Sequence, residues 1–273
     1  MTRIRVLFLG DIVGAAGLAI FQKHIKRLRE QYRADAIIVN GENSAGSGRG
    51  ITPAVMRLFK EQGVNVVTSG NHIWQKPEII NYIAQHTDLV RPINFPAATP
   101  GSGMTTFICK GIEIGVINVQ GRVFMRELLS CPFRAVESAL TYLQHKTPII
   151  FIDVHAEATS EKMGVAYMFD GRVSAVVGTH THVQTADERI MPGGTAYITD
   201  LGMAGSLNSM IGMKKEPIIQ NFLTQMPARF AVDTSLPLFM TGVCIEVDTQ
   251  TGKATSIERI RVVDDAVQID TQE

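Results

Sequence analysis

The sequence predicts an α/β fold, and two observations carry that prediction. From Ile4 to about Gln85, short apolar runs alternate with amphipathic stretches in a β-α-β-α-β-α order. The C-terminal third then turns strand-rich, which favours two sheets in one domain with helices outside over one continuous parallel sheet.

Each element has its own justification. Ile4 to Leu9 reads as a buried strand. Ala16 to Tyr32 reads as an amphipathic helix, with Leu18, Phe21, Ile25 and Leu28 on one stripe. Ala36 to Val39 is the second strand. Thr52-Pro53 opens the next helix, with Thr as N-cap and Pro at the first helical position, and that helix ends near Gly63. Val64 to Thr68 is the third strand, and a helix runs from near Pro77 to about Gln85. Asn94 to Ser102, rich in Pro and Gly, is a loop rather than a domain boundary. Thr105–Cys109 and Ile112–Val119 flank Lys110-Gly111 and read as a hairpin. Then come a helix over Pro132–Gln144, a strand over Ile149–Val154, a helix capped by Ser160 and reaching Phe169, and a buried strand over Ser174–Val177. Thr195–Thr199, Leu238–Val247 and Thr255–Val263 complete the strands. No internal repeat or low-complexity tract interrupts the pattern, so residues 1–273 read as a single domain.

Composition narrows the function classes. With 26 Lys+Arg against 26 Asp+Glu, the chain lacks the basic field of an extended nucleic-acid surface, although a local nucleotide site needs none. Cys109, Cys131 and Cys244 lie far apart and are odd in number, which argues against a disulfide framework or a cysteine zinc site and fits a reducing cytoplasm. No membrane-length apolar run or signal-type segment is expected.

The polar residues cluster at strand ends. The first strand ends in Gly10-Asp11, the second in Asn40-Gly41-Glu42-Asn43, and the third in Ser69-Gly70-Asn71-His72. The strand from Ile149 ends in Asp153-Val154-His155, and the strand at Val176 in Gly178-Thr179-His180-Thr181-His182. The His-Thr-His pair, two of seven histidines in the chain, projects to one side if the segment stays extended. Alone it reads equally well as a solvated polar loop. Five strand ends carrying N/O donors are poorly explained by turns, because the carboxyl edge of an α/β sheet is where functional loops gather. Asp11, Glu42, Asn43, Asn71, His155, His180 and His182 supply seven donors, enough for two metals but more than one needs.

In order, these motifs resemble the calcineurin-type metallophosphoesterases. Two departures from the usual pattern, no histidine in Asp11-Ile12-Val13 and Glu42-Asn43 where an aspartate is expected, resemble its YmdB-like branch, as does His155-Ala156-Glu157-Ala158-Thr159-Ser160-Glu161-Lys162. The resemblance spans essentially the whole chain. It implies a four-layer α-β-β-α sandwich of two mixed sheets, bacterial cytoplasmic location and 2′,3′-cyclic-nucleotide 2′-phosphodiesterase activity. It implies two divalent ions, iron first, with manganese or zinc as alternatives. It assigns Asp11, Asn43 and His182 to one ion, Asn71, His155 and His180 to the other, and Glu42 between them. Such a pair of ions lowers the pKa of a shared water from 15.7 to about 7, and the hydroxide attacks phosphorus in line. His72 is the expected general acid.

Further expectations are weaker. Arg122 and Ser44 are candidate substrate contacts, and Asp200-Leu201-Gly202-Met203 a candidate pocket lining. Gly46-Ser47-Gly48-Arg49-Gly50 lacks the ending of a P-loop and reads as a flexible loop. Asp153 is expected to face away from His155, and His24, His86 and His145 to be structural or solvated. Apolar residues around Pro227–Met240 suggest a homo-oligomer. Competing readings are a dinucleotide-binding oxidoreductase, which the glycines Gly10, Gly14 and Gly17 support only with the wrong spacing, a non-catalytic nucleotide-binding regulator, and a phosphomonoesterase of the same superfamily.

Overall fold

The computed structural model describes residues 3–269. The chain opens with β1 (Arg3–Ile12), α1 (Gly14–Tyr32), β2 (Ala36–Asn40), α2 (Pro53–Glu61), β3 (Val66–Thr68) and α3 (Ile79–Gln85). The hairpin β4 (Met104–Cys109) and β5 (Ile112–Gln120) follows, then α4 (Pro132–Leu143), β6 (Ile150–His155), α5 (Thr159–Phe169) and β7 (Ala175–Thr179). The last third holds β8 (Arg189–Ile190), β9 (Ala196–Ile198), β10 (Met203–Ser206), α6 (Lys215–Thr224), β11 (Leu238–Asp248) and β12 (Ala254–Asp264). No helix among the described residues is long and apolar enough to cross a membrane.

These strands form two six-stranded mixed sheets, ordered β12-β11-β10-β1-β2-β3 and β4-β5-β6-β7-β9-β8. In the first, β1, β2 and β3 run parallel while β11 lies antiparallel beside β1. In the second, β5, β6, β7 and β9 run parallel, edged by antiparallel β4 and β8.

Strand alternation explains the layering. Leu7 and Leu9 of β1 pack with Ile20, Phe21 and Ile25 of α1. Val6 and Phe8 face the opposite way and meet Val116, Phe151 and Val177 of the other sheet. On the far side, Ile150, Ile152 and Val154 of β6 pack with Val136 and Leu140 of α4 and Val165 of α5. Three cores between four layers give the α-β-β-α sandwich.

Several boundaries differ from the sequence reading. β1 continues to Ile12, so Asp11 is a strand residue paired with β2 and β10 rather than a turn residue. Ser160 is not a cap: α5 begins at Thr159 behind Ala158, with no side-chain cap bond. The short strands β8 and β10 and helix α6 lack a clear periodic signature and went unpredicted. The hairpin holds, with Lys110 and Gly111 both at positive φ (50° and 77°), as a two-residue turn of this hand requires.

Candidate metal centre

The parallel strands of both sheets deliver their carboxyl ends to one edge of the sandwich. There, three acceptors converge on a single ring nitrogen. His155 Nε2 lies 3.0 Å from Glu42 Oε1, 3.0 Å from Asn71 Oδ1 and 3.1 Å from His180 Nδ1. One ring nitrogen carries at most one proton, so lone pairs from a carboxylate, an amide and an imidazole facing it suit a cation far better than hydrogen bonds. Glu42, His155 and His180 each offer a ligand atom within 4.8 Å of the others.

A second group lies beside the first. His182 Nε2 is 3.6 Å from Asp11 Oδ1, and the Asn43 amide nitrogen is 3.2 Å from each. The same amide lies 3.4 Å from Glu42 Oε1, so that oxygen faces both groups. The two ends of an amide are interchangeable by a half-turn, and turning Asn43 directs its carbonyl oxygen into the cluster.

The remote nitrogen of each histidine is already engaged. Thr179 Oγ1 donates to Asp153 Oδ1 at 2.7 Å, so its oxygen accepts from His155 Nδ1 at 2.9 Å. His182 Nδ1 meets the Ile211 carbonyl at 2.9 Å, and His180 Nε2 meets Glu157 Oε2 at 3.2 Å. Each partner is an acceptor, which places the proton on the far nitrogen and leaves a lone pair at the centre, the tautomer a metal ligand needs.

Charge follows the same geometry. Burial opposes ionisation of Asp11, yet the His182 charge and hydrogen bond outweigh it and hold the carboxyl below its ordinary range. Burial likewise opposes Glu42, but His155 keeps it below the usual carboxylate value. Against its own burial, His155 is pushed up to about 9 by Glu42. Burial and the neighbouring His155 drive His180 down to about 3.

Asp153 corrects the sequence reading. It does not face away from His155: residues i and i+2 of a strand share a face, and Val154 is the one that turns to the helices. Asp153 is fully buried, accepts from Thr68 Oγ1 at 2.5 Å, and reaches His155 through Thr179. Burial pushes its carboxyl up to about 6, against the pull of His155, Thr68 and Thr179.

The His-Thr-His segment is not extended either. β7 ends at Thr179, and His180 and His182 have φ of 99° and 65°. Thr181 between them is fastened to Asp200 Oδ2 through its N–H (3.2 Å) and hydroxyl (2.8 Å). Asp200 in turn meets Lys162 Nζ at 2.7 Å, both side chains buried. Lys162 closes the motif that begins at His155, but sequence reasoning missed its buried pairing with Asp200. Gly70 is dictated by contact, because a Cβ there would overlap the His155 ring.

His72 lies at the centre's margin. Its N–H donates to Glu42 Oε2 at 2.9 Å, its Nε2 is 3.5 Å from the Asn71 amide, and its buried Nδ1 has no partner among the described residues. Burial, and then the Arg49 charge against the pull of Glu42, holds its imidazolium below the ordinary value. Ser44 is buried with its hydroxyl donating to the Gly41 carbonyl at 2.5 Å, which braces the loop. The Arg122 N–H is held by Glu161 at 2.9 Å, and its exposed side chain touches none of the donors. His24 is structural, at 2.6 Å from Asp264 Oδ2.

Known proteins resemble this chain over nearly its whole length. A Bacillus subtilis (strain 168) protein named 2′,3′-cyclic-nucleotide 2′-phosphodiesterase is 47% identical over 262 residues, 96% of this chain and 98% of that one. A crystal structure of a novel phosphatase from Mycoplasma pneumoniae superposes with a TM-score of 0.91 at 37% identity, over 97% of this chain and 95% of that one. A hypothetical protein from Thermus thermophilus superposes with a TM-score of 0.87 at 38% identity, over 96% of this chain and 100% of that one. The family described as YmdB-like protein matches residues 7–260. With the fold, the strand-end donors and these likenesses in agreement, the chain belongs to the YmdB-like family.

Proposed function

We propose that this chain is a metal-dependent phosphodiesterase that opens 2′,3′-cyclic nucleotides to nucleoside 3′-phosphates. One observation carries the metal reading: three histidines, one on a strand and two on a loop, each have the remote nitrogen held by an acceptor and the near nitrogen turned to the centre. The substrate class follows the Bacillus subtilis relative.

Asn71, His155 and His180 would hold one ion and Asp11, Asn43 and His182 the other, with Glu42 facing both groups. Iron is our first choice, with manganese or zinc as alternatives for the same mixed N/O donors. When bound, two such ions acidify a water and take up charge on the phosphoryl oxygens. The chain's residues do the rest. Water oxygen joins phosphorus while the water's proton passes to solvent, the P–O2′ bond breaks, and O2′ takes up a proton. His72, fixed by its N–H to Glu42 and set against Asn71, supplies it. Asp153 and Thr179 hold the His155 ring while charge redistributes.

We read the chain as one domain, because β1 alone feeds two of its three cores. Three free cysteines support a reducing, cytoplasmic setting. Exposed Phe222, Leu223 and Met226 on and after α6 are our candidate surface for a homo-oligomer.

Turnover of a panel by metal-reconstituted protein tests the reading. Hydrolysis of 2′,3′-cyclic nucleotides, with little on 3′,5′-cyclic nucleotides or a simple monoester, is expected. Preference for the monoester makes it a phosphatase, and no turnover with retained nucleotide binding makes it a regulator.

A further inference from the structure

A cavity of about 440 Å³ opens beside His72, lined by Ser47, Arg49, Gln75, Met213, Arg229 and Phe230. Its volume falls within the range of small-ligand sites. Two structural links tie it to the metal centre, and a third closes the cavity. The Gln75 N–H donates to the His72 carbonyl at 3.0 Å. Met213 lies two residues beyond Ile211, whose carbonyl holds His182. Gly48, at φ 73°, fits where a Cβ would press on Met213 and Val232, so the 46–50 loop closes against the far wall.

The charge in this cavity is unspent. The Arg49 and Arg229 guanidiniums are both exposed, and neither makes a hydrogen bond or ion pair among the described residues, a state they share with other surface arginines such as Arg122 and Arg134 but one that here places two of them on a single cavity. The carboxylates of Asp11 and Glu42 are turned into the donor clusters. Two forked cations without counter-charge, next to a phosphoryl-transfer site, fit a second anionic oxygen group. Phe230 adds a partly exposed ring face of the kind on which a base or ribose rests.

We propose that this cavity receives the nucleoside side of the substrate and that Arg49 and Arg229 bind a phosphate on its 5′ oxygen. The preferred substrate class is then a 2′,3′-cyclic nucleotide that also carries a 5′-phosphate. That group has two sources, a 5′-monophosphate or the linkage to a preceding nucleotide at an RNA 3′ end. The inference rests on the cyclic-phosphodiesterase reading above. It also gives the Gly46–Gly50 loop a use: presenting Arg49 at the rim.

The test has a kinetic and a binding arm. The first compares kcat/KM of metal-loaded wild type for adenosine 2′,3′-cyclic phosphate, its 5′-phosphorylated form, and a dinucleotide ending in a 2′,3′-cyclic phosphate. The second compares Kd for adenosine 3′-phosphate and adenosine 3′,5′-bisphosphate by calorimetry. A 5′-phosphate is expected to improve both quantities roughly tenfold or more, and the advantage should collapse toward one in Arg49→Met with Arg229→Met. A larger gain for the dinucleotide identifies RNA ends as the source, and a larger gain for the monoester identifies free nucleotides. Wild type that turns over the cyclic nucleotide but ignores the 5′-phosphate in both arms overturns this inference alone. Absence of turnover overturns the phosphodiesterase reading, and the two Kd values still decide the cavity's role.

Discussion

The donors that meet at Glu42 are held in two opposite ways, and each cluster contains both kinds. Asn71, His155 and Glu42 sit on or just past strand ends, and His155 is locked from below by Thr179 and Asp153 within the sandwich. His180 and His182 sit off the strand, at positive φ, on a loop tied down by Asp200 and Lys162 and by a carbonyl from the distant Ile211. Positive φ at a non-glycine residue costs roughly 1–2 kcal/mol, and such conformations persist only where surroundings over-determine them. The strand-end donors are held by the sheet itself, and the two loop histidines, one in each cluster, by a buried ion pair acting through Thr181. The loop histidines should therefore yield first when their brace is cut, while the strand-end donors should yield only when their own polar chain is cut.

Glu42→Gln should have the largest effect, because Glu42 Oε1 faces both clusters. A loss of kcat of roughly 10³-fold is expected, together with depleted metal. Full activity in that variant would contradict the shared role.

Lys162→Met leaves Asp200 buried without its cation. Breaking a buried pair this way costs about 3–5 kcal/mol. Chemical denaturation should show that loss, and Asp200→Asn, which keeps the shape, should weaken both metal sites, because His180 and His182 flank Thr181 and serve different ions. Loss at one site alone would contradict the shared brace.

Asp153→Asn keeps its bulk and removes the acceptor strength behind Thr179. Metal affinity should fall by about 10–100-fold at the His155 side, read by metal titration, while the His182 side is spared. An unchanged titration would return Asp153 to a packing role.

The smallest effect lies outside the centre and serves as a control. Asp264 joins α1 to β12, where the Lys23 ammonium, the Ala266 N–H and His24 hold its carboxyl below the ordinary value. A depressed carboxylate contributes stability above its unfolded pKa of about 3.9 and loses it as pH falls through the folded value. Asp264→Asn should flatten the acid side of the stability profile without changing metal content. A change in metal content would show that α1 and the centre are coupled.

Much of this was legible in the sequence because strand ends are marked twice, by the apolar run and by the glycine that follows. Asp11, Glu42, Asn71 and His180 could be placed on one edge from those two marks, and His155 from its apolar run alone. The Asp153 misreading was an error of parity, since alternation already puts residues 153 and 155 on one face. His180 and His182 were less legible, because their directions come from positive φ values imposed by Asp200, far along the chain. The pairing of Lys162 was hidden for the same reason: a buried ion pair depends on a partner that periodicity does not reveal. Helix α6 and strands β8 and β10 are too short or too irregular to show a period.

Activity titrated against metal equivalents in metal-depleted protein, with elemental analysis at each point, tests the two-ion centre most directly. Two unlike but cooperating sites predict little turnover at one equivalent and full turnover, with nucleoside 3′-phosphate as product, at two. Full activity at one equivalent, or undiminished activity in the metal-free protein, would contradict it.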